Sequence, residues 1–305
     1  MSVSVTVPAS SANLGPGYDA FGLALGLYNE FEGELAATWR VEVRGEGAGR
    51  LHADESNEVV RAMKRVFAEV EQPDLAADIV CHNGIPVGRG LGSSAAAIVG
   101  GLVLGDALAG THLGKRRLLE IAAEAEGHAD NVAAALYGGF TVVSGAVPHL
   151  TCAHVDPAGG LAALIVIGEQ ELSTSLAREA LPASVPHADA AANAGRAALV
   201  ALGLATGTRE FLETGLHDAI HERYREELVP DLDAIRSLLE AVGAGPAVLS
   251  GAGPTVIALV QELSDARALE RARVLAEVAR TALDGIGRGR VLPLPIDRVG
   301  ARQSA

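Results

Sequence analysis

The chain has 305 residues, 49% of them hydrophobic and 20% charged, so a large core can be buried and the composition argues against disorder. That length exceeds the needs of one small core and suits two linked domains. A formal net charge of −14 argues against nucleic acid or an anionic membrane as a partner, since both would repel it.

The N-terminus, MSVSVTVPAS, has no basic region followed by an apolar run, as a signal peptide would, and residues 2–7 alternate as a half-buried strand does. A polar, Gly-rich loop then runs into an apolar segment up to Leu25. Residues 39–44 predict a strand, 58–69 an amphipathic helix opened by Asn57, and 78–82 a short strand broken at Asn83-Gly84. A Gly-rich loop, 86–92, leads into a long apolar helix from about Ser94. Its apolar stretch, 95–109, is interrupted by Gly100, Gly101, Gly105 and Asp106 and is too short to span a bilayer. A helix over 116–125 follows, and 136–143 leads into another strand.

The turn-rich stretch Asp156-Pro157-Ala158-Gly159-Gly160 predicts a domain boundary, dividing the chain into 1–157 and 158–305. Beyond it come a strand (161–167), helices over 189–204, 208–224 and 231–242, strands over 247–250 and 255–260, a helix over 265–283 and a last strand over 291–295. Strands mixed with paired helices imply an α+β class. Cys81 and Cys152 offer neither a disulfide framework nor a metal-type spacing and read as small buried hydrophobes in a reducing compartment. The expected location is cytoplasmic.

The most informative stretch is Pro86-Val-Gly-Arg-Gly-Leu-Gly-Ser-Ser-Ala95. Gly88, Gly90 and Gly92 let the backbone approach something bulky, and Ser93 and Ser94 sit where a helix must begin. A helix N-terminus carries free N–H groups and partial positive charge, which favours a phosphate. Gly90 to Ala95 formally matches the dinucleotide fingerprint GxGxxA, but a Pro/Gly loop precedes it and no acidic residue closes a second strand about twenty residues on. A Walker A loop is excluded because no Lys follows the glycines. On this stretch alone, a Gly-rich turn with a capping serine remains the competing reading.

Three further stretches decide the matter. They are Pro8-Ala-Ser-Ser-Ala-Asn-Leu-Gly-Pro-Gly-Tyr-Asp-Ala-Phe-Gly22, Glu126-Gly-His-Ala-Asp-Asn-Val132 and Leu249-Ser-Gly-Ala-Gly-Pro-Thr255. With the loop at 86–95, in this order and spacing from about Val3 to Val260, the chain resembles the GHMP kinase superfamily. Glu126 to Asn131 is similar to the EGHPDN stretch of the members that act on homoserine, with Ala129 for Pro. Tyr18 replaces the usual Phe of the first motif.

The resemblance implies a two-domain GHMP kinase fold, with an N-terminal domain like ribosomal protein S5 domain 2 and a ferredoxin-like C-terminal domain. The implied reaction is ATP-dependent phosphorylation of the L-homoserine hydroxyl, in threonine biosynthesis. ATP is expected on Pro86, Val87, Gly88, Arg89, Gly90, Leu91, Gly92, Ser93, Ser94 and Ala95, with Asn57 at the adenine. Mg²⁺ is expected on Ser94 and Glu126, hard oxygen ligands few enough to leave the ion its waters. Asn13, Asp19, His128 and Asn131 match positions facing homoserine, and Arg178 and Arg225 match those binding its carboxylate. Arg223, which stands where the family has Pro, keeps an alternative register open. Thr174, Asp130 and Asn131 are placed nearest the reacting atoms. Asp130 is the analogue of a base used by relatives such as mevalonate kinase, and whether a base is used here stays open. Beyond ATP and L-homoserine, the only partner left open is a second copy in a homodimer.

Two rival readings stand beside it: another GHMP kinase acting on mevalonate or a sugar, and a nucleotide-binding sensor without catalysis. The first is opposed by the paired arginines, and the second by the retention of Ser94 and Glu126. His217 and His221 have the i,i+4 spacing of a helical zinc site but lack the Glu of HExxH and a third ligand. They read as a solvated helix face.

Overall fold

A computed structural model describes residues 2–283 and 289–304. Strands β1 (Val3–Ala12), β2 (Phe21–Ala36) and β3 (Arg40–Gly45) precede helix α1 (Glu58–Glu69) and strand β4 (Ala76–Asn83). Helices α2 (Ser93–Leu108), α3 (Gly114–Glu126) and α4 (Asp130–Tyr137) lead to strands β5 (Phe140–Ser144), β6 (Thr151–Val155) and β7 (Leu161–Gly168). Then come α5 (Thr174–Glu179), α6 (His187–Thr206), α7 (Arg209–Gly215), α8 (Leu232–Ala241), β8 (Ala247–Leu249) and β9 (Val256–Gln261). The last elements are α9 (Asp265–Leu283), β10 (Gly289–Pro295) and β11 (Arg302–Ser304).

Two sheets organise these elements. The first runs β11-β1-β2-β4-β3, with β5 pairing β2 and β6 lying beyond β5. Its β3–β4 pair is parallel, and the other pairs are antiparallel. The second is antiparallel in the order β10-β7-β9-β8. Counted along the chain from β7, that order is 4-1-3-2, and with α8 and α9 in the connections it forms the split βαβ unit expected of a ferredoxin-like domain. The predicted division at 157/158 falls between β6 and β7. β11 returns from the far end of the chain to pair with β1, so the first sheet draws strands from both sides of that division.

Side-chain patterning explains the packing. In α1, Val59, Val60, Met63, Val66 and Phe67 form one buried stripe, and the Asn57 side chain accepts the Val59 N–H as its cap. β7 is buried from Leu161 to Ile167, and its two faces serve different cores. Leu161, Ala163, Ile165 and Ile167 join the core that contains the first sheet, α1–α4 and residues of α6 and α7. Ala162, Leu164 and Val166 join the smaller core under α8 and α9. The two sheets therefore share β7 as a common wall, which explains why its sequence is continuously apolar rather than alternating.

One expected helix is shorter than its pattern suggests. The helix over 208–224 stops at Gly215, and only Glu222–Tyr224 regains a 3₁₀ turn. The Asp218 carboxylate is the cause: its Oδ2 accepts the N–H groups of Ile220, His221 and Glu222 at 3.0, 2.7 and 2.7 Å. A short acidic side chain serving three local N–H groups outcompetes the helical carbonyls. The structure also adds β2, α4, β6, α5 and β11, which the sequence pattern does not predict. Among the described residues no helix is long and apolar enough to cross a membrane.

Candidate active site

The four quoted motifs converge on one cleft between the two sheets. It is lined by Asn13, Tyr18 and Asp19 from the β1–β2 turn and by Gly90, Gly92, Ser93 and Ser94 at the start of α2. Glu126, His128, Asp130 and Asn131 line it from the α3–α4 junction, and Thr174, Arg178, Arg225 and Gly251 from the C-terminal half. The β1–β2 turn is strained: Asn13, Leu14 and Asp19 all have positive φ. Non-glycine residues adopt that conformation only where their surroundings enforce it. Here the Asn13 amide donates to the Gly251 carbonyl at 2.8 Å, and its Oδ1 accepts the Asp19 N–H at 3.0 Å.

The loop before α2 ends on Gly92, a left-handed cap with no side-chain acceptor. The first-turn N–H groups of α2 are thus left for an incoming anion. Two glycines of this loop are needed for reasons other than a ligand. A Cβ at Gly90 would collide with the carbonyls of Ser250 and Gly253, and one at Gly92 with Ser10 Oγ. Leu91 and Ala95 are wholly buried and line neither this cleft nor its neighbours, so the structure does not place these two at the cleft surface. Pro86, Val87 and Arg89 border an open groove with Glu46, Arg50 and Arg290. Asn57 lies in an adjoining cleft with Leu51, His52 and Val87, which meets the first cleft at Ser93 and Ser94. Its polar atoms already serve α1 and the His52 carbonyl, the latter at 2.6 Å.

A chain of polar groups crosses the cleft floor. Ser94 Oγ donates to Glu126 Oε2 at 2.8 Å, His128 Nε2 lies 3.9 Å from Glu126 Oε1, and His128 Nδ1 lies 2.6 Å from Asp130 Oδ1. Burial raises the Glu126 carboxyl above its usual range, opposed by the Ser94 hydrogen bond and the charge of His128. For His128, burial acts to lower the imidazole, but the hydrogen bond and charge of Asp130, with Glu126, outweigh it and the net shift is upward. Asp130 is nearly inaccessible, and its Oδ1 also accepts the Asn131 N–H at 2.7 Å. Asn131 Oδ1 accepts from Ser10 Oγ at 2.8 Å.

On the opposite wall, the Arg178 guanidinium grips Asp19 and also donates to Tyr18 Oη at 3.0 Å. Arg225 is 2% exposed and donates to the carbonyls of Ala177 and Gly251. Arg223 lies on the surface with Asp189 and Tyr224, so the register with Arg225 in the cleft is the one the structure adopts. Sequence reasoning missed Ser10, Tyr18 and His221. The Tyr18 ring lies 5.8 Å from Arg178 and 5.5 Å from Arg225, under both guanidinium groups. His221 is wholly buried, not on a solvated helix face, and it contacts Arg225.

Two family models match the chain: the GHMP kinases N terminal domain over 57–139 and the GHMP kinases C terminal domain over 196–274. With the two-sheet α+β architecture, they define the protein as a two-domain GHMP kinase. Homoserine kinase of Streptomyces avermitilis is 43% identical over 296 residues, covering 96% of this chain and 96% of its own. Homoserine kinase of Clavibacter michiganensis subsp. michiganensis is 44% identical over 267 residues, with coverages of 84% and 82%. The crystal structure of homoserine kinase from Cytophaga hutchinsonii matches with a TM-score of 0.88 at 28% identity, covering 99% of this chain and 97% of that one. The chain belongs to the homoserine kinase family.

Proposed function

We propose that the protein transfers the γ-phosphoryl group of ATP to the side-chain hydroxyl of L-homoserine, giving O-phospho-L-homoserine and ADP for threonine biosynthesis in the cytoplasm. The observation that carries this reading is the gathering of Asp19, Arg178 and Arg225 against the N-terminus of α2. Partners for an ammonium and a carboxylate thus stand beside a phosphate cradle.

In this reading the first-turn N–H groups of α2 and the loop at 88–92 hold the phosphates, and Asn57, His52 and Val87 border the adenine. Ser94 Oγ and the Glu126 carboxylate converge within 2.8 Å, a pair of hard oxygens that fits Mg²⁺. Magnesium bound there supplies neutralisation of the phosphate charge. Asp19 receives the substrate ammonium, Arg178 and Arg225 its carboxylate, and Asn13, His128 and Asn131 align the hydroxyl. Thr174, the first residue of α5, faces the transferring group. Asp130 fixes His128 and the start of α4 through its Oδ1, which makes it a positioning group. Phosphoryl transfer relies chiefly on such positioning and charge stabilisation.

The direct test is ³¹P NMR of the purified protein with ATP, Mg²⁺ and L-homoserine. A phosphate monoester signal growing with ADP, identified as O-phosphohomoserine, is expected. ATP consumption without that ester would contradict the proposal.

A further inference from the structure

We propose that His221 is the positioning residue for the Arg225 guanidinium, and that through Arg225 it sets recognition of the substrate carboxylate. The inference rests on the reading above that Arg225 meets that carboxylate. His221 Nδ1 lies 3.1 Å from Arg225 Nη1, and His221 Nε2 lies 2.8 Å from the Gly15 carbonyl oxygen. A guanidinium can only donate and a carbonyl can only accept. The two neighbours therefore fix a single neutral tautomer, with the proton on Nε2 and the lone pair of Nδ1 turned to Arg225.

The surroundings hold this arrangement from three sides. Asp218 Oδ2 collects the N–H groups of residues 220–222, which turns the His221 side chain inward. The Tyr18 ring packs 5.1 Å from the imidazole. The Gly15 contact ties His221 to the same β1–β2 turn that carries Asn13 and Asp19. One buried ring thus sets Arg225 against the partner of the substrate ammonium. Burial lowers the imidazole to about 4, the Arg225 charge acts in the same direction and Asp218 opposes, so the ring stays neutral near pH 7.

The two ring nitrogens can be replaced separately. The amide oxygen of His221→Asn overlays Nδ1 and keeps an acceptor for Arg225. The amide of His221→Gln reaches the Nε2 position, keeping the Gly15 contact and losing that acceptor. A hydrogen bond to a charged group corresponds to roughly tenfold or more in affinity. His221→Gln should therefore raise the homoserine KM by about tenfold or more, leave the ATP KM near wild type, and leave kcat/KM for the carboxylate-free analogue 3-aminopropanol unchanged. His221→Asn should restore most of the homoserine affinity. An unchanged homoserine KM in His221→Gln, or equal losses with both substrates, would overturn the proposal.

Arg225→Ala separates this inference from the reading beneath it. If that variant leaves homoserine affinity intact, the carboxylate assignment itself fails. If it weakens homoserine while His221→Gln does not, only the His221 role fails. Should the His221 variants not fold, ¹⁵N-histidine NMR of the wild-type enzyme still decides. An Nε2-protonated ring whose Nδ1 resonance moves with homoserine but not with 3-aminopropanol is expected, and a proton on Nδ1 contradicts the proposal.

Discussion

Asp19 and Arg178 form a two-pronged ion pair across the candidate active site, with Nη2 2.7 Å from Oδ1 and Nη1 2.9 Å from Oδ2. Their side chains are 38% and 37% exposed, so solvent screens the pair and its contribution to stability is small. An amino acid carries the complement of both partners. Its ammonium can replace the guanidinium at Asp19, and its carboxylate can replace Asp19 at Arg178. Asp19→Asn and Arg178→Ala should each raise the homoserine KM by roughly tenfold to a hundredfold, the scale of a charge-assisted hydrogen bond. The ATP KM and thermal stability should barely move. Saturation curves for both substrates check this, and equal effects on ATP would contradict it.

Glu126→Gln should cut turnover by roughly a hundredfold, the scale on which one electrostatic stabiliser of a transition state is lost. A neutral amide is a poor ligand for a hard cation. Circular dichroism should show an unchanged fold, and half-maximal activity should require a higher Mg²⁺ concentration than in the wild type. Near-normal rates at saturating Mg²⁺ would remove Glu126 from the metal site.

Asp130→Asn separates positioning from proton abstraction. As a positioning residue whose Oδ1 holds His128 and the Asn131 N–H, it should cost less than the ~10²–10⁴-fold typical of a lost general base. Pre-steady-state turnover at saturating substrates is the measurement. A loss within that range, with unchanged substrate affinity, would make Asp130 the base.

The buried His221 also predicts a pH dependence of stability. Its imidazole falls from 6.5 to about 4, first through burial, then through Arg225, with Asp218 and the Gly15 carbonyl opposing. Between those values the unfolded chain binds the extra proton. The His221 contribution is therefore complete above about pH 6.5 and is lost as pH falls toward 4. Glu222 acts in the opposite sense: burial raises it from 4.5 to about 7 against the pull of Arg236, so its contribution is lost as pH rises through that range. The difference between wild type and His221→Asn isolates the histidine. That difference should shift with acidification by at most ~1.4 kcal/mol per pH unit. Urea unfolding at closely spaced pH values measures it, and a constant difference across the window would contradict a buried neutral histidine.

Much of the fold is legible from local patterning, and much of the site is not. The helices α1 and α9 have the bounds that their sequence predicts, Glu58–Glu69 and Asp265–Leu283, because an apolar stripe with clear ends suffices to define them. The region after Gly215 was not legible, since the 217/221 spacing imitates a helix face while Asp218 captures three N–H groups. For Gly90, the sequence says that something approaches the backbone. Only the fold shows that the neighbour is the Ser250–Gly253 turn, about 160 residues away, whose Ser250 hydroxyl donates to the Gly90 carbonyl at 2.7 Å. The motif favours Arg225 and leaves Arg223 open as a second register, and only burial, with Arg225 in the cleft and Arg223 on the surface, separates the two.

If the protein phosphorylates L-homoserine, its cleft selects an amino acid bearing a hydroxyl at the right reach. The measurement of that selectivity is kcat/KM for ADP release over L-homoserine, L-serine, 3-aminopropanol, mevalonate and galactose. L-homoserine should lead the panel. L-serine should fall behind because, one methylene shorter, it cannot engage Asp19 and the arginines while reaching the phosphate, and 3-aminopropanol should fall behind for want of a carboxylate. Mevalonate or galactose outperforming L-homoserine, or 3-aminopropanol matching it, would contradict the account.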